Sequence, residues 1–257
     1  MTFQNPQYLV ETDWLVEHLN DPDLRIIECN VGMPNYYEES SGERIEIVSG
    51  RNDYDQGHIP GSDFVDLVTE LMGQEDGPCM VPLPTPEQFA DVMSRHGIGE
   101  GVRVVLYDRT MNAWAARFWW MLRTFGFEEA AVLNGGWAKW IAEGRPTSGT
   151  PSLNAPSHFV AKHRPELIAS KEDVLAEIGD ESCCIINALD PEEFAGRGPV
   201  RYGRPGHIPG SINLPAMGLA DPQTHAYLDA DVLRKQFIAA GALDKDRVIT
   251  YCGGGIA

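Results

Sequence analysis

Basic residues are scarce in this chain: 20 Lys and Arg stand against 38 Asp and Glu, a formal net charge of −18, and no basic cluster interrupts the acidic field. Such a chain repels phosphate backbones and anionic lipid surfaces, so neither nucleic acid nor a membrane is expected as a partner. Long apolar runs are missing too. The longest, such as residues 104–107, fall far short of the ~18 residues a spanning helix needs. The first residues lack the basic start and apolar block of a secretory leader. Cysteines are sparse and odd in number, namely Cys29, Cys79, Cys183, Cys184 and Cys252, which argues for reduced thiols rather than a disulfide framework. These features predict a cytoplasmic protein. No metal-ligand spacing occurs, and the glycine run at 253–255 has no following Lys-Ser/Thr to make a phosphate loop. Neither a metal nor a cofactor is expected.

What the chain does have is a repeat. Gly57-His58-Ile59-Pro60-Gly61-Ser62 returns letter for letter as Gly206-His207-Ile208-Pro209-Gly210-Ser211. Before each copy, a helical pattern (capped at Thr12; capped at Ser170) leads to an apolar strand at 25–29 and at 184–187. After each copy, a helical pattern precedes a strand that ends at Asp108 in the first and at Cys252 in the second. Apolar strands joined through crossover helices make a parallel sheet covered on both faces. The expected fold class is therefore α/β, with two tandem domains at 1–146 and 166–257 and a proline-rich linker at 147–165. The first unit continues for 38 residues from Asp108 to Pro146, whereas 5 follow Cys252. The second unit is on that count expected to be incomplete, lacking its last ~35 residues and the core side chains they carry, each worth ~1.5–3 kcal/mol, and hence loosely folded.

Chemistry is expected at Cys252, which stands at the carboxyl end of a buried strand, the edge where open α/β sheets bind ligands. Gly253, Gly254, Gly255, Ile256 and Ala257 follow it. Glycines let successive N–H groups converge into an anion-binding nest. Lowering a thiol pKa by two units takes about 2.7 kcal/mol, which one or two hydrogen bonds to a charged acceptor supply at ~1.5–3 kcal/mol each. Taken alone, the heptapeptide is equally compatible with a buried strand-end cysteine followed by a turn.

The doubled GHIPGS, the run 115–123 with 133–137, and the cysteine after the fourth strand of the second unit only resemble tandem rhodanese-type sulfurtransferases, a family of thiosulfate and 3-mercaptopyruvate sulfurtransferases. The resemblance covers essentially the whole chain. It implies two rhodanese-like domains, a silent first one with Asp108 in the cysteine position, and a second in which Cys252 takes a sulfane sulfur as a persulfide. The outer sulfur then passes to a thiophilic acceptor such as cyanide or a thiol. The partners are thus a small anionic sulfur donor and that acceptor. Two positions depart from the family pattern. Gly253, Gly254 and Gly255 are neither the basic residues of thiosulfate-specific members nor a Gly-Ser-Gly, and the strand that usually ends in Asp-x-Arg reads Asn187-Ala188-Leu189. With that arginine absent, Arg197, Arg201 and Arg204 become the candidates for binding the donor anion. A non-catalytic rhodanese-like binding module and a Cdc25-like phosphatase are the alternatives.

The remaining candidates read as structural. His58 and His207 hold the same place in a silent and an active unit, so each is expected to bond local backbone. Cys183 and Cys184 are adjacent on a strand and point to opposite faces, and Cys29 reads as core. Cys79 lies in an accessible loop. Trp119 and Trp120 are expected in helix core and interdomain packing.

Overall fold

Residues 3–35, 45–73, 80–197 and 202–256 are described by a computed structural model. Cys79, Arg201 and Ala257 lie outside the described residues. The first unit contains β1 (Leu9–Val10), α1 (Thr12–His18), β2 (Leu24–Glu28), the antiparallel pair β3 (Val31–Gly32) and β4 (Val48–Ser49), α2 (Arg51–Gln56) and β5 (Ser62–Phe64). It continues through α3 (Pro86–Arg95), β6 (Arg103–Tyr107), α4 (Ala113–Thr124), β7 (Ala130–Leu133) and α5 (Gly136–Ala142). Its main sheet runs β1-β7-β6-β2-β5 with every pairing parallel.

The strand sequences explain why both faces are covered. Alternate residues of a strand point to opposite sides, and in β6 both sets are apolar. Val104 and Leu106 join Ile27, Phe89 of α3 and Phe118 of α4 on one face. Val105 and Tyr107 join Ile26, Leu15 of α1 and Trp140 of α5 on the other. Burying such a side chain contributes about 1.5–3 kcal/mol, so this double core holds the first unit. Thr12 is not a cap: Glu11 precedes the helix as its N-cap, and Thr12 is the first helical residue, its hydroxyl donating to Glu143 Oε2 at 2.5 Å.

The second unit contains α6 (Lys171–Glu177), β8 (Cys183–Asn187), α7 (Pro191–Phe194), β9 (Ile212–Asn213), α8 (Ala230–Ala239) and β10 (Arg247–Tyr251). Ser170 caps α6 in a reciprocal box with Asp173. The parallel sheet runs β10-β8-β9, with Val248 opposite Cys184 and Tyr251 opposite Asn187. Its buried cluster comprises Cys184, Ile186 and Ala242, with Ile212, Leu214 and Phe237 packed against it.

Between the units, residues 147–165 run along the first unit. Ser148 exchanges two backbone hydrogen bonds with His58, Ser157 N donates to Ser94 O, and Phe159 is buried in the α3 and α4 core. Trp120 Nε1 donates to Leu167 O at 3.2 Å, so the tryptophan expected at the domain contact does touch the segment entering the second unit. The loop before α8 docks back on the first unit, with Asn112 Nδ2 donating to His225 O at 2.7 Å and Tyr227 N donating to Asn134 Oδ1 at 2.8 Å. No helix among the described residues is long and apolar enough to cross a membrane.

Candidate active site

The repeated turn is built identically in both units. Tyr107, the last residue of β6, accepts from Ile59 N at 3.1 Å and meets Ser62 Oγ at 3.0 Å. Tyr251, the last residue of β10, accepts from Ile208 N at 2.9 Å and meets Ser211 Oγ at 2.9 Å. Each turn is thereby pinned under the carboxyl end of its strand. The histidines are part of the same device. His58 stacks on Tyr54 at 3.9 Å with Nδ1 donating to Tyr54 O, and His207 stacks on Phe194 at 3.8 Å with Nδ1 donating to Phe194 O. A carbonyl only accepts, so Nδ1 of each ring carries a proton; His58 Nε2 also faces a carbonyl, Thr150 O at 3.0 Å.

One step beyond each tyrosine, the units part. Cys252 is half-buried, and its sulfur accepts hydrogen bonds from Gly255 N at 3.1 Å and Ile256 N at 3.2 Å. Gly255 has φ +88°, in the left-handed region that favours glycine. Gly253 is required for another reason: a Cβ there would stand 2.1 Å from the Tyr202 ring. At Gly254 an added Cβ meets only ordinary contacts, the nearest being Met80 at 3.8 Å. Of the expected nest, then, Gly255 and Ile256 donate to the sulfur, and Gly253 lets an aromatic ring close over the loop.

In the first unit Asp108 occupies the cysteine's place. Its carboxylate accepts from Thr110 N at 2.8 Å, Asn112 N at 3.0 Å and Ala115 N at 2.8 Å. Burial pushes this carboxyl upward against those backbone bonds, which favour the charge. Beside it, Glu28 at the end of β2 is fully buried and paired with Arg109, which lies 4.4 Å over Trp137. A carboxylate thus fills the loop that the sulfur fills in the second unit, and the docked segment carrying His225 and Tyr227 lies over it.

Cys252 opens onto a cleft of about 470 Å³. Asn187 lies at its floor, while Arg197, Tyr202 and Arg204 form one wall. That wall is an insertion: Phe194 precedes its histidine by 13 residues, Tyr54 by 4. Arg197 is held bidentately by Glu192, Nε at 2.8 Å and Nη2 at 3.0 Å, so its charge is neutralised locally. Arg204 is exposed on the rim and makes no ion pair among the described residues. Asn187 is buried, and its Oδ1 accepts from Leu189 N at 3.0 Å, which fixes the amide orientation; Nδ2 has no hydrogen-bond partner among the described residues. The repeat comparison could have exposed this insertion. Nothing in the sequence pointed to Tyr202 as a wall of the cleft, whereas Asn187 stood at the strand end already noted as departing from the family pattern.

The other described cysteines sit away from the cleft. Cys29 is fully buried, its thiol donating to Tyr107 O at 3.5 Å, and burial pushes it well above the usual thiol range. Cys184 is buried against Ala240 O, and Cys183 lies half-buried near Glu177; burial raises both. The loop of Cys252 meets the first unit directly: Arg117 of α4, 5 % exposed, donates through Nη1 to Gly255 O and through Nη2 to Val81 O at 2.6 Å.

The rhodanese-like domain model matches residues 11–143 and 170–257. A sulfur carrier protein of Thermus thermophilus is 31 % identical over 98 % of this chain and 84 % of its own. The 3-mercaptopyruvate sulfurtransferase of Escherichia coli K12 is 31 % identical over 97 % of this chain and 85 % of its own. Chicken (Gallus gallus) thiosulfate sulfurtransferase is 33 % identical over 80 % and 69 %. A crystal structure of an Escherichia coli 3-mercaptopyruvate sulfotransferase superimposes with a TM-score of 0.82 at 30 % identity, over 97 % of this chain and 89 % of the other. With its two matched segments, its paired turns and its α/β layers, the chain belongs to the rhodanese-like family and to the sulfurtransferase class of enzymes within it.

Proposed function

We propose that this enzyme moves a sulfane sulfur from a small anionic donor, 3-mercaptopyruvate or thiosulfate, to cyanide or a thiol through a persulfide on Cys252. The carrying observation is the Cys252 sulfur at the mouth of the cleft, with two backbone N–H groups directed at it. Those donors stabilise a thiolate, the nucleophilic form of cysteine. The thiolate attacks the donor's outer sulfur. The S–S bond to cysteine forms as the donor's own bond to that sulfur breaks, and its electron pair leaves with pyruvate enolate, which takes a proton, or with sulfite. The acceptor then attacks the outer persulfide sulfur, forming thiocyanate or a new persulfide, and Cys252 leaves as the thiolate it began as.

The cleft supports an anionic donor despite the acidic chain. Where the family pattern has an aspartate, Asn187 carries no charge and offers a spare amide donor. Arg204 adds a cation at the rim, and Arg201 belongs to the same proposed set. Arg197 is a weaker member because Glu192 already holds it. The Gly253–Gly255 stretch offers no side-chain cation, which favours the single carboxylate of 3-mercaptopyruvate over the thiosulfate dianion. The sparse cysteines, free where described, fit a reducing cytoplasm, and the acidic surface disfavours nucleic acid and anionic membranes.

The test is intact mass before and after treatment with each donor. One added sulfur is expected, absent in Cys252→Ser and kept in Cys183→Ser and Cys184→Ser. Retention of the sulfur in Cys252→Ser overturns the assignment. Arg204→Ala is expected to raise the donor KM with less effect on kcat, the pattern of lost ground-state binding. An unchanged KM makes Arg204 a surface charge.

A further inference from the structure

The first unit carries no cysteine at its own loop, yet it sends one cation into the second unit's loop. Arg117 projects from α4 and is almost wholly buried, an expensive place for a charge unless its donors are satisfied. One arm of its fork is anchored on Val81 O of the first unit, the other on Gly255 O of the second. That second contact matters because of what shares its peptide plane. The Gly255 carbonyl and the Ile256 N–H belong to one peptide group, and in the trans form they point in opposite directions. A donor that holds the carbonyl on one side therefore aims the N–H on the other. The Ile256 N–H is aimed at Cys252 Sγ, 3.2 Å away.

We propose that Arg117 is a positioning residue for the sulfur site across the domain contact, orienting and polarising the Gly255–Ile256 peptide so that its N–H stabilises sulfur anion on Cys252. A charged donor on the carbonyl strengthens the N–H on the far side, since hydrogen bonds in a chain polarise one another. The guanidinium fork suits the task because it binds two carbonyls at fixed angles, where a lysine ammonium would act as one mobile point charge. The silent unit thus supplies part of the second unit's anion nest. Among the described residues, the other ionisable groups lining the cleft are Glu193 of α7, Arg197, Tyr202 and Arg204 of the insertion, His207 of the turn and Tyr251 of β10. These surround the sulfur in parent and variant alike, so a change seen on replacing Arg117 belongs to that residue. The proposal rests on the reading that Cys252 carries the sulfur.

The experiment follows the rate at which iodoacetamide modifies Cys252 in the full chain, read by peptide mass from about pH 5 to 10, across the thiol range. Arg117→Met is expected to move the midpoint upward by about one pH unit, a tenfold loss of thiolate below it, while the alkaline plateau rate stays the same. Arg117→Gln, neutral but able to keep one carbonyl bond, moves it in the same direction and decides the matter if the Met variant no longer melts cooperatively. Arg117→Lys, which keeps the charge, brings the midpoint part of the way back. Midpoints equal to that of the parent chain, or a change in the plateau alone, overturn the proposal. Sulfur loading of Cys252→Ser separates the two readings. If that variant still takes up sulfur, the carrier assignment fails. If it does not and the Arg117 midpoints are unmoved, only the role of Arg117 fails.

Discussion

The two units share a turn, a tyrosine clamp and a strand end, and differ in what stands one residue beyond the tyrosine. In the first, a buried carboxyl gathers the backbone N–H groups of Thr110, Asn112 and Ala115, and the loop is covered by the segment carrying His225 and Tyr227. In the second, a sulfur accepts from the N–H groups of Gly255 and Ile256 and faces an open cleft. The comparison teaches that the loops after β6 and β10 both direct backbone N–H groups at one side chain, Asp108 in the first unit and Cys252 in the second. On the proposed function, whether such a loop does chemistry depends on the side chain it holds and on access. Asp108 is a buried carboxyl beneath a docked segment, and Cys252, the proposed sulfur carrier, faces a cleft lined in part by an insertion.

The strongest way to break this comparison is to move the sulfur. In Asp108→Cys combined with Cys252→Ser, donor treatment is expected to add no sulfur, because position 108 is 1 % exposed beneath the docked segment. A persulfide mapped to position 108 in this double variant would show that residue identity alone silences the first unit. A smaller but still large effect is expected inside the second unit's loop. Gly253→Ala drives a methyl into the Tyr202 ring, and a displacement of about 1 Å in a catalytic group costs on the order of a hundredfold in rate. Gly254→Ala meets only ordinary contact and should stay near the parent turnover. Restoration of turnover in Gly253→Ala by adding Tyr202→Ala would identify the ring as the obstacle, and equal losses at both glycines would refute it.

The next effect belongs to the first unit alone. His96 Nδ1 lies 2.7 Å from Asp63 and Nε2 lies 3.4 Å from Glu70. Burial opposes the imidazolium, but the bonds to Asp63 and then Glu70 outweigh it and raise the histidine to about 9. A group raised on folding stabilises most below its unfolded value, near 6.5, and that contribution disappears as pH rises through about 9. The melting temperature of the first unit should therefore fall across this window, and His96→Gln should flatten the fall. An unchanged slope in the variant would assign the pH dependence elsewhere. Smallest of all is Arg197→Ala, expected to leave the donor KM within about twofold, since an exposed ion pair contributes little. A rise matching that of Arg204→Ala would mean that the donor takes Arg197 from Glu192.

Much of the architecture was legible in the sequence because it is carried by local, repeated signals. The apolar runs of β2, β6, β8 and β10, the Ser170 cap and the doubled GHIPGS each read correctly. His58 and His207 were readable as structural from their occurrence in both units, and both indeed bond the backbone beside them. The arginines were less legible. A loop arginine's sequence position does not reveal whether a carboxylate waits within reach, as Glu192 does for Arg197. Thr12 was misread because a threonine one residue before or after the helix start has the same neighbours, and its hydroxyl was taken by Glu143, far away in the chain.

By itself, then, the sequence determined two α/β repeats, a cysteine just after the last apolar strand of one and an aspartate at the matching place in the other, and a glycine loop able to direct N–H groups at sulfur. Those features depend on residues a few positions apart, whose relations the backbone sets. Only the tertiary structure decided that Tyr202 lies on Gly253, that Arg197 is spent on Glu192, that the segment before α8 covers the Asp108 loop, and that Arg117 of the first unit holds the Gly255 carbonyl of the second. Each of these joins side chains or segments whose approach depends on how helices and loops pack, and Arg117 meets Gly255 across 138 residues of chain. Such a contact is made by the docking of two surfaces and leaves no local pattern from which to read it.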